Sequence, residues 1–156
     1  MKPGHPVATV FGLGRLPRAP GTWASLAALP PAWGIVWAAG PWALAAAAVL
    51  LGLAGCHAAA RYERETGERD AGAVVIDEVV GQWLVLATLP LELLAYALGF
   101  AAFRLFDIAK PPPLGWIERR VPGGLGVMAD DVAAAACAAA LLHLADWGLG
   151  HGVLFG

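Results

Sequence analysis

The chain has 156 residues, of which 59% are hydrophobic and only 14% charged, with a net charge of −2 and a mean hydropathy of +0.66. Soluble domains run nearer 45–50% apolar and about 25% charged, and one compact unit of this length cannot hide the excess, so lipid is expected to be part of its solvent. The net charge says nothing about nucleic acid, but no basic stripe with interleaved aromatics occurs, and no nucleic-acid partner is expected.

Residues 1–20 are broken by Pro3, Pro6, Pro17 and Pro20 and carry Lys2, Arg15 and Arg18. They read as a cytoplasmic N-terminal segment and not as a cleavable signal peptide. Helices are expected over 22–40 and 42–60, parted by the breaker pair Gly40-Pro41. Residues 24–60 contain no formally charged side chain. A charged stretch, 61–70, follows, with Gly67 and Gly72 loosening it. Two more helices are expected over 79–89 and 92–106, separated by Pro90, and a last one over 131–147. Residues 148–156 read as a tail. Alanine runs at 45–48 and 133–136 favour helix and allow close helix approach in lipid. Cys56 and Cys137 lie in apolar stretches as small core residues, and no spacing argues for a disulfide. The expected fold is all-α: a single domain over 1–156, a compact bundle of short, partly broken membrane-embedded helices and helical hairpins with its polar site at the cytoplasmic face.

Charge is scarce enough in this chain to be informative. Asp77, Glu78, Asp107, Asp130 and Asp131 all lie at the edges of apolar runs, where ionisable groups are costly to desolvate and are by default candidates for function. Singly, each has an ordinary reading: Asp130-Asp131 as a helix N-cap, Asp77-Glu78 as a first turn complementing the helix dipole. Together they resemble the ligand set of a hard divalent cation, and Mg²⁺ is the natural occupant because it takes oxygen ligands and bridges to phosphate. His5, His57, His143 and His151 lack close-paired metal spacing, which argues against zinc.

Such a site requires a particular topology. A straight helix over 79–106 would hold Asp77 and Asp107 about 40 Å apart, beyond a hydrocarbon core of about 30 Å. A reversal at Pro90 brings them to one face, and a break at Gly40-Pro41 does the same for the earlier pair of helices. Arg15, Arg18, Arg61, Arg64, Arg69, Arg104, Lys110, Arg119 and Arg120 then share that face, which the positive-inside rule makes cytoplasmic. The arms, at roughly 11–19 residues, are short for full crossings.

Arg104, Asp107 and Lys110 follow at three-residue steps and share a helical face. That pattern suits either an interfacial salt-bridge ladder or a phosphate clamp. Pro111-Pro112-Pro113 stops the helix directly after Lys110 and fixes the cations at its mouth, where Arg offers a bidentate grip and Lys a point charge. Glu118-Arg119-Arg120 reads as a solvated face with Trp116 as anchor. Two glycine-containing loops are expected, Pro20-Gly21-Thr22 and Gly123-Gly124-Leu125-Gly126. Their amides, with the Thr22 and Ser25 hydroxyls, can approach an anion, although neither has P-loop spacing.

Four strings now stand in order: Pro20-Gly21-Thr22-Trp23-Ala24-Ser25-Leu26, Asp77-Glu78-Val79-Val80-Gly81, Phe103-Arg104-Leu105-Phe106-Asp107-Ile108-Ala109-Lys110-Pro111, and Gly123-Gly124-Leu125-Gly126-Val127-Met128-Ala129-Asp130-Asp131. Each is short, but the ordered set resembles the phosphatidylglycerophosphatase A family over roughly residues 11–142. Ala24 and Ala134 stand where the family commonly has glycine. The resemblance implies Mg²⁺-dependent hydrolysis of the terminal phosphomonoester of phosphatidylglycerophosphate to phosphatidylglycerol, at the cytoplasmic face of the bacterial inner membrane. Under it Asp77, Glu78, Asp107, Asp130 and Asp131 are expected to hold the metal. Thr22, Ser25, Arg104, Lys110 and Gly124 are expected to bind the substrate phosphate. Glu78 or Asp131 serves as general base, and an aspartyl-phosphate on Asp107 stays open as an alternative to direct water attack. The rival readings are a small membrane cation transporter, which has little use for a phosphate clamp, and another Mg²⁺-dependent lipid-phosphate enzyme. A CDP-alcohol phosphotransferase would need an Asp-x-x-Asp-Gly pattern that is absent. Oligomeric state is not legible.

Overall fold

The computed structural model describes residues 5–68 and 71–155, apart from the side chain of Glu118. The expectations for Lys2, Pro3, Arg69, Asp70 and Gly156, and for the Glu118 side chain, lie outside the described residues. Proline and glycine set most of the boundaries. After a 3₁₀ turn at Leu13–Arg15, the described elements are α1 (Pro20–Ala27), α2 (Leu29–Ala39), α3 (Pro41–Thr66), α4 (Ile76–Leu86), α5 (Leu93–Ala109), α6 (Leu114–Arg120) and α7 (Gly124–Leu149). No strand occurs among the described residues.

Several expected boundaries are corrected. The helix expected over 22–40 is two, because Pro30 and Pro31 lack the amide hydrogens an interior turn needs and are accommodated only in a first turn, that of α2. The second helix runs on past Ala60 to Thr66, carried by an exposed Arg61–Glu65 pair one turn apart, and stops at Gly67 in the left-handed conformation. The last helix begins at Gly124, seven residues earlier than expected, so Asp130 and Asp131 are not caps but lie in its second turn. The segment Gly124–Gly126 is likewise helix and not loop. Glycine is a poor helix former, yet here close approach demands it. A side chain on Gly124 would run into the Cys56 carbonyl of α3, and one on Gly126 into that of Val121.

The helices alternate in direction. Gly81 meets Phe103 and Gly99 meets Leu86 and Leu89, so α5 returns antiparallel along α4 after the turn at Pro90. Gly55 meets Ile76 while Gly52 meets Val80, and Gly55 meets Met128 while Gly124 meets Cys56 and Ala60, which sets α3 antiparallel to α4 and to α7. Gly21 sits against Glu78, while the Trp83 indole N–H donates to the Ala28 carbonyl at 2.9 Å, so α1 runs parallel to α4. The N-termini of α1, α4 and α7 and the C-termini of α3 and α5 therefore gather at one end. Away from it the core is apolar, with Leu44, Val85, Leu86, Tyr96, Phe103 and Ala138 buried together. Two helices, α3 and α7, are long and apolar enough to cross a membrane.

Candidate active site

The first turn of α4 presents Asp77 and Glu78, and the second turn of α7 presents Asp131 beside them. One carboxylate oxygen from each lies within 4.8 Å of the others. Opposite ligands of an octahedral Mg²⁺ site are about 4.2 Å apart, at about 2.1 Å per bond. Three buried oxygens, Asp77 Oδ1, Glu78 Oε2 and Asp131 Oδ2, have no hydrogen-bond partner. Burial, with the charges of Glu78 and Asp131 adding to it, pushes the Asp77 carboxyl well above the usual range. Burial also raises Glu78, which Asp107 reinforces while Asp77's hydrogen bond and Arg104 oppose it. Desolvated, clustered acids are expected to behave this way where the nearby cation only partly offsets them, and a divalent cation among them reverses the logic. The all-oxygen donor set, its spacing and its orphaned lone pairs fit Mg²⁺.

Asp107 and Asp130 stand around this trio rather than in it. Asp107 reaches α4 from the C-terminal turn of α5, close enough for its charge to act on Glu78 and Asp131. It pairs with Arg104 on its own helix. Asp130 is buried and accepts a hydrogen bond from Lys110 Nζ at 2.8 Å. Lys110 is the C-cap of α5 and takes a left-handed backbone, φ 41°, ψ 57°. The ladder Arg104-Asp107-Lys110 thus does make ion pairs, but across to the acidic cluster as well as along the helix. Arg104 also keeps a buried Nε with no acceptor.

The end of α1 closes the site from one side. Gly21 is required there, since a side chain would overlap the Glu78 carboxylate and crowd the Arg104 guanidinium. Thr22 follows, half-buried, and Ser25 is fully buried with its hydroxyl unpartnered. Gly124 is not with this group: its Cα packs on Cys56 and Ala60 of α3, which gives it a helix-packing role in place of the expected phosphate-binding loop.

One buried residue was not singled out from the sequence. Gln82 is fully buried with both amide atoms unpartnered, one turn beyond Glu78 on α4. Its signal was an amide inside an otherwise apolar run. Arg119 is exposed, as expected of a solvated face, and lines a recess of about 320 Å³ with Lys110 and Trp116. Arg120 instead stacks over the Trp116 ring at 4.6 Å, as an anchored interfacial cation would.

The chain is similar to known proteins over most of its length. The family model described as phosphatidylglycerophosphatase A matches residues 6–146. The phosphatidylglycerophosphatase A of Escherichia coli is 38% identical over 152 residues, covering 95% of this chain and 87% of that one. The Haemophilus influenzae protein of the same name is 37% identical over 136 residues, 86% of this chain and 83% of its own. A Bacteroides thetaiotaomicron protein, named as a candidate phosphatidylinositol-3-phosphatase, is 38% identical over 156 residues, with 92% and 94% covered. No solved structure matches the chain. Acidic trio, basic pair and α1 hydroxyls all fall within the matched span, and the chain belongs to the phosphatidylglycerophosphatase A family.

Proposed function

We propose that this chain removes the terminal phosphate of phosphatidylglycerophosphate, giving phosphatidylglycerol and inorganic phosphate, as a single membrane-embedded unit whose site faces the cytoplasm of the bacterial inner membrane. The observation that carries the reading is the set of buried, unpartnered oxygens on Asp77, Glu78 and Asp131 beside Arg104 and Lys110. A cation transporter has no need of that basic pair. The two named enzymes among the relatives point to the phosphoglycerol headgroup.

Asp77, Glu78 and Asp131 would hold Mg²⁺, with Asp107 and Asp130 as outer carboxylates that orient the basic pair. When bound, the cation supplies charge neutralisation and Lewis-acid polarisation at the phosphoryl group. Arg104 directs its free Nε–H, and Lys110 its ammonium, at oxygens that gain charge as water attacks phosphorus. Thr22 and Ser25 add hydroxyl donors at a helix N-terminus, whose dipole favours an anion. Glu78, between α1 and Arg104, accepts a proton from the attacking water and returns it to the glycerol oxygen as the P–O bond breaks. Burial of the trio keeps bulk water from diluting these charges.

The test is phosphate release from phosphatidylglycerophosphate by the purified protein in mixed micelles. Turnover that disappears in excess EDTA and returns with Mg²⁺ is expected. Unchanged turnover in EDTA, or none on this lipid with any divalent cation, would overturn the reading. The Bacteroides relative's name favours one second reading, a phosphoinositide headgroup, and phosphatidylinositol-3-phosphate in the same assay decides between them.

A further inference from the structure

A cleft of about 340 Å³ is lined by Ala24 of α1 and its C-cap Ala28, Val79 and Trp83 of α4, Leu51 of α3, and Phe11. Its walls are apolar throughout, so water gains nothing there while a hydrocarbon chain does. The cleft and the proposed phosphate site are built on the same two helices, α1 and α4. On α1, Gly21 touches Glu78 and Arg104, and Ala24 and Ala28 follow on the same face at one and two turns. On α4, which runs parallel, Glu78 is at the acidic end and Val79 and Trp83 continue away from it. The Trp83–Ala28 hydrogen bond ties the two walls together. A ligand whose phosphate reaches Arg104 beside Gly21 has apolar surface one to two turns further along, at Ala24 and Ala28.

The mouth carries a second mark of construction. Val10 and Phe11 both adopt left-handed backbone, with φ of 47° and 54°. For a β-branched valine that conformation is strained, and such strain collects at ligand clamps. Thr9 holds the turn, its hydroxyl donating to the His5 carbonyl and accepting from Gly12 N–H. The result is a Phe11 ring that is 91% exposed at the edge of the cleft.

We infer that this cleft between α1, α3 and α4 binds an acyl chain of the lipid substrate, with Ala24, Ala28, Leu51 and Val79 as its walls and Phe11 at its entrance. The inference rests on the lipid-phosphatase reading above. It makes chain length a determinant of kcat/KM through residues that never touch phosphate. The same lipid headgroup is then compared with two long acyl chains and with two hexanoyl chains, below the aggregation limit of the latter. In the wild type the long-chain form is expected to lead in kcat/KM. Ala27→Phe, which intrudes on the cleft from its exposed rim, is expected to lower the long-to-short ratio about tenfold, the scale of methylene-sized changes in an apolar pocket. Leu50→Phe, on the exposed side of α3, serves as the control and keeps the wild-type ratio. An unchanged ratio in Ala27→Phe overturns the inference.

A readout independent of turnover and of that variant's folding uses the wild type with a phosphatidyl lipid bearing a diazirine near the chain end. Crosslinks on peptides of α1 and α4 are expected. Crosslinks confined to the outer faces of α3 and α7 would sink the acyl site. Absence of phosphate release from either chain length, with crosslinks still in the cleft, would instead remove the proposed reaction and leave the lipid site standing.

Discussion

Two helices of this protein, α3 and α7, have the same length, 26 residues, and both are long and apolar enough to cross a membrane. They use that property differently. α3 keeps its ionisable groups in its last turns, where Arg61 and Glu65 are exposed, and turns Leu50 and Leu53 outward. α7 has about twice the buried share, 44% against 22% in the most apolar window, and carries Asp130 and Asp131 inside. Length and hydropathy therefore do not distinguish a wall from a working element. Position of the charge along the helix does, because a carboxylate two turns in must be held by a cation or by partners, whereas one at the end meets water.

That contrast can be broken first at Asp131. Asp131→Asn keeps the shape and removes a charge from the trio, and phosphate release is expected to fall by about 10²–10³-fold, as for loss of a group that stabilises transition-state charge. The same variant should lose the rise in melting temperature that Mg²⁺ gives the wild type, a rise equivalent to about 2.7 kcal/mol at a hundredfold excess over Kd. Full activity with an intact Mg²⁺ shift would make α7 no more than a second wall. Next come Arg104→Gln and Lys110→Gln. Each is expected to lower kcat by about 10²-fold with a smaller change in KM, and losses of only a few-fold would return them to interfacial salt bridges.

Packing sharpens the comparison at smaller scale. Gly124→Ala sets a methyl group against the α3 backbone, and denaturant titration should register about 1–3 kcal/mol of destabilisation, the range for overpacking. Smallest of all, Leu50→Ala and Leu53→Ala on the outer face of α3 should leave stability within about 0.5 kcal/mol and phosphate release unaltered. A large loss of turnover in that pair would mean α3 contributes more than a wall.

The outline of the site was legible because the chain has so few charges to distribute. Asp77, Glu78, Asp107, Asp130, Asp131, Arg104 and Lys110 stood out against apolar runs, and the Pro90 reversal followed from the distance between Asp77 and Asp107. Glycine misled. Gly123-Gly124-Leu125-Gly126 has the composition of a loop, and only the nearby carbonyls of Cys56 and Val121 explain why three of those residues are helical. Propensity lost there to tertiary contact. Gln82 was passed over because it carries no formal charge, although an amide in an apolar run faces the same desolvation cost in milder form. Arg119 is exposed, as a solvated face requires, but the recess it shares with Lys110, nine positions earlier, was not legible, because no local pattern specifies the path of the proline run between them.

Lys110 sits where a helix commonly ends in glycine or asparagine, because a left-handed backbone costs other residues about 1–2 kcal/mol. Anyone engineering this protein for heat resistance meets a fixed point at that residue. Glycine would ease the backbone and strip the cation from Asp130, while arginine would keep the charge and the strain together. A library screened for thermal survival alone is therefore expected to enrich a well-folded, inactive glycine variant, and only a paired screen for turnover would reveal why lysine is there.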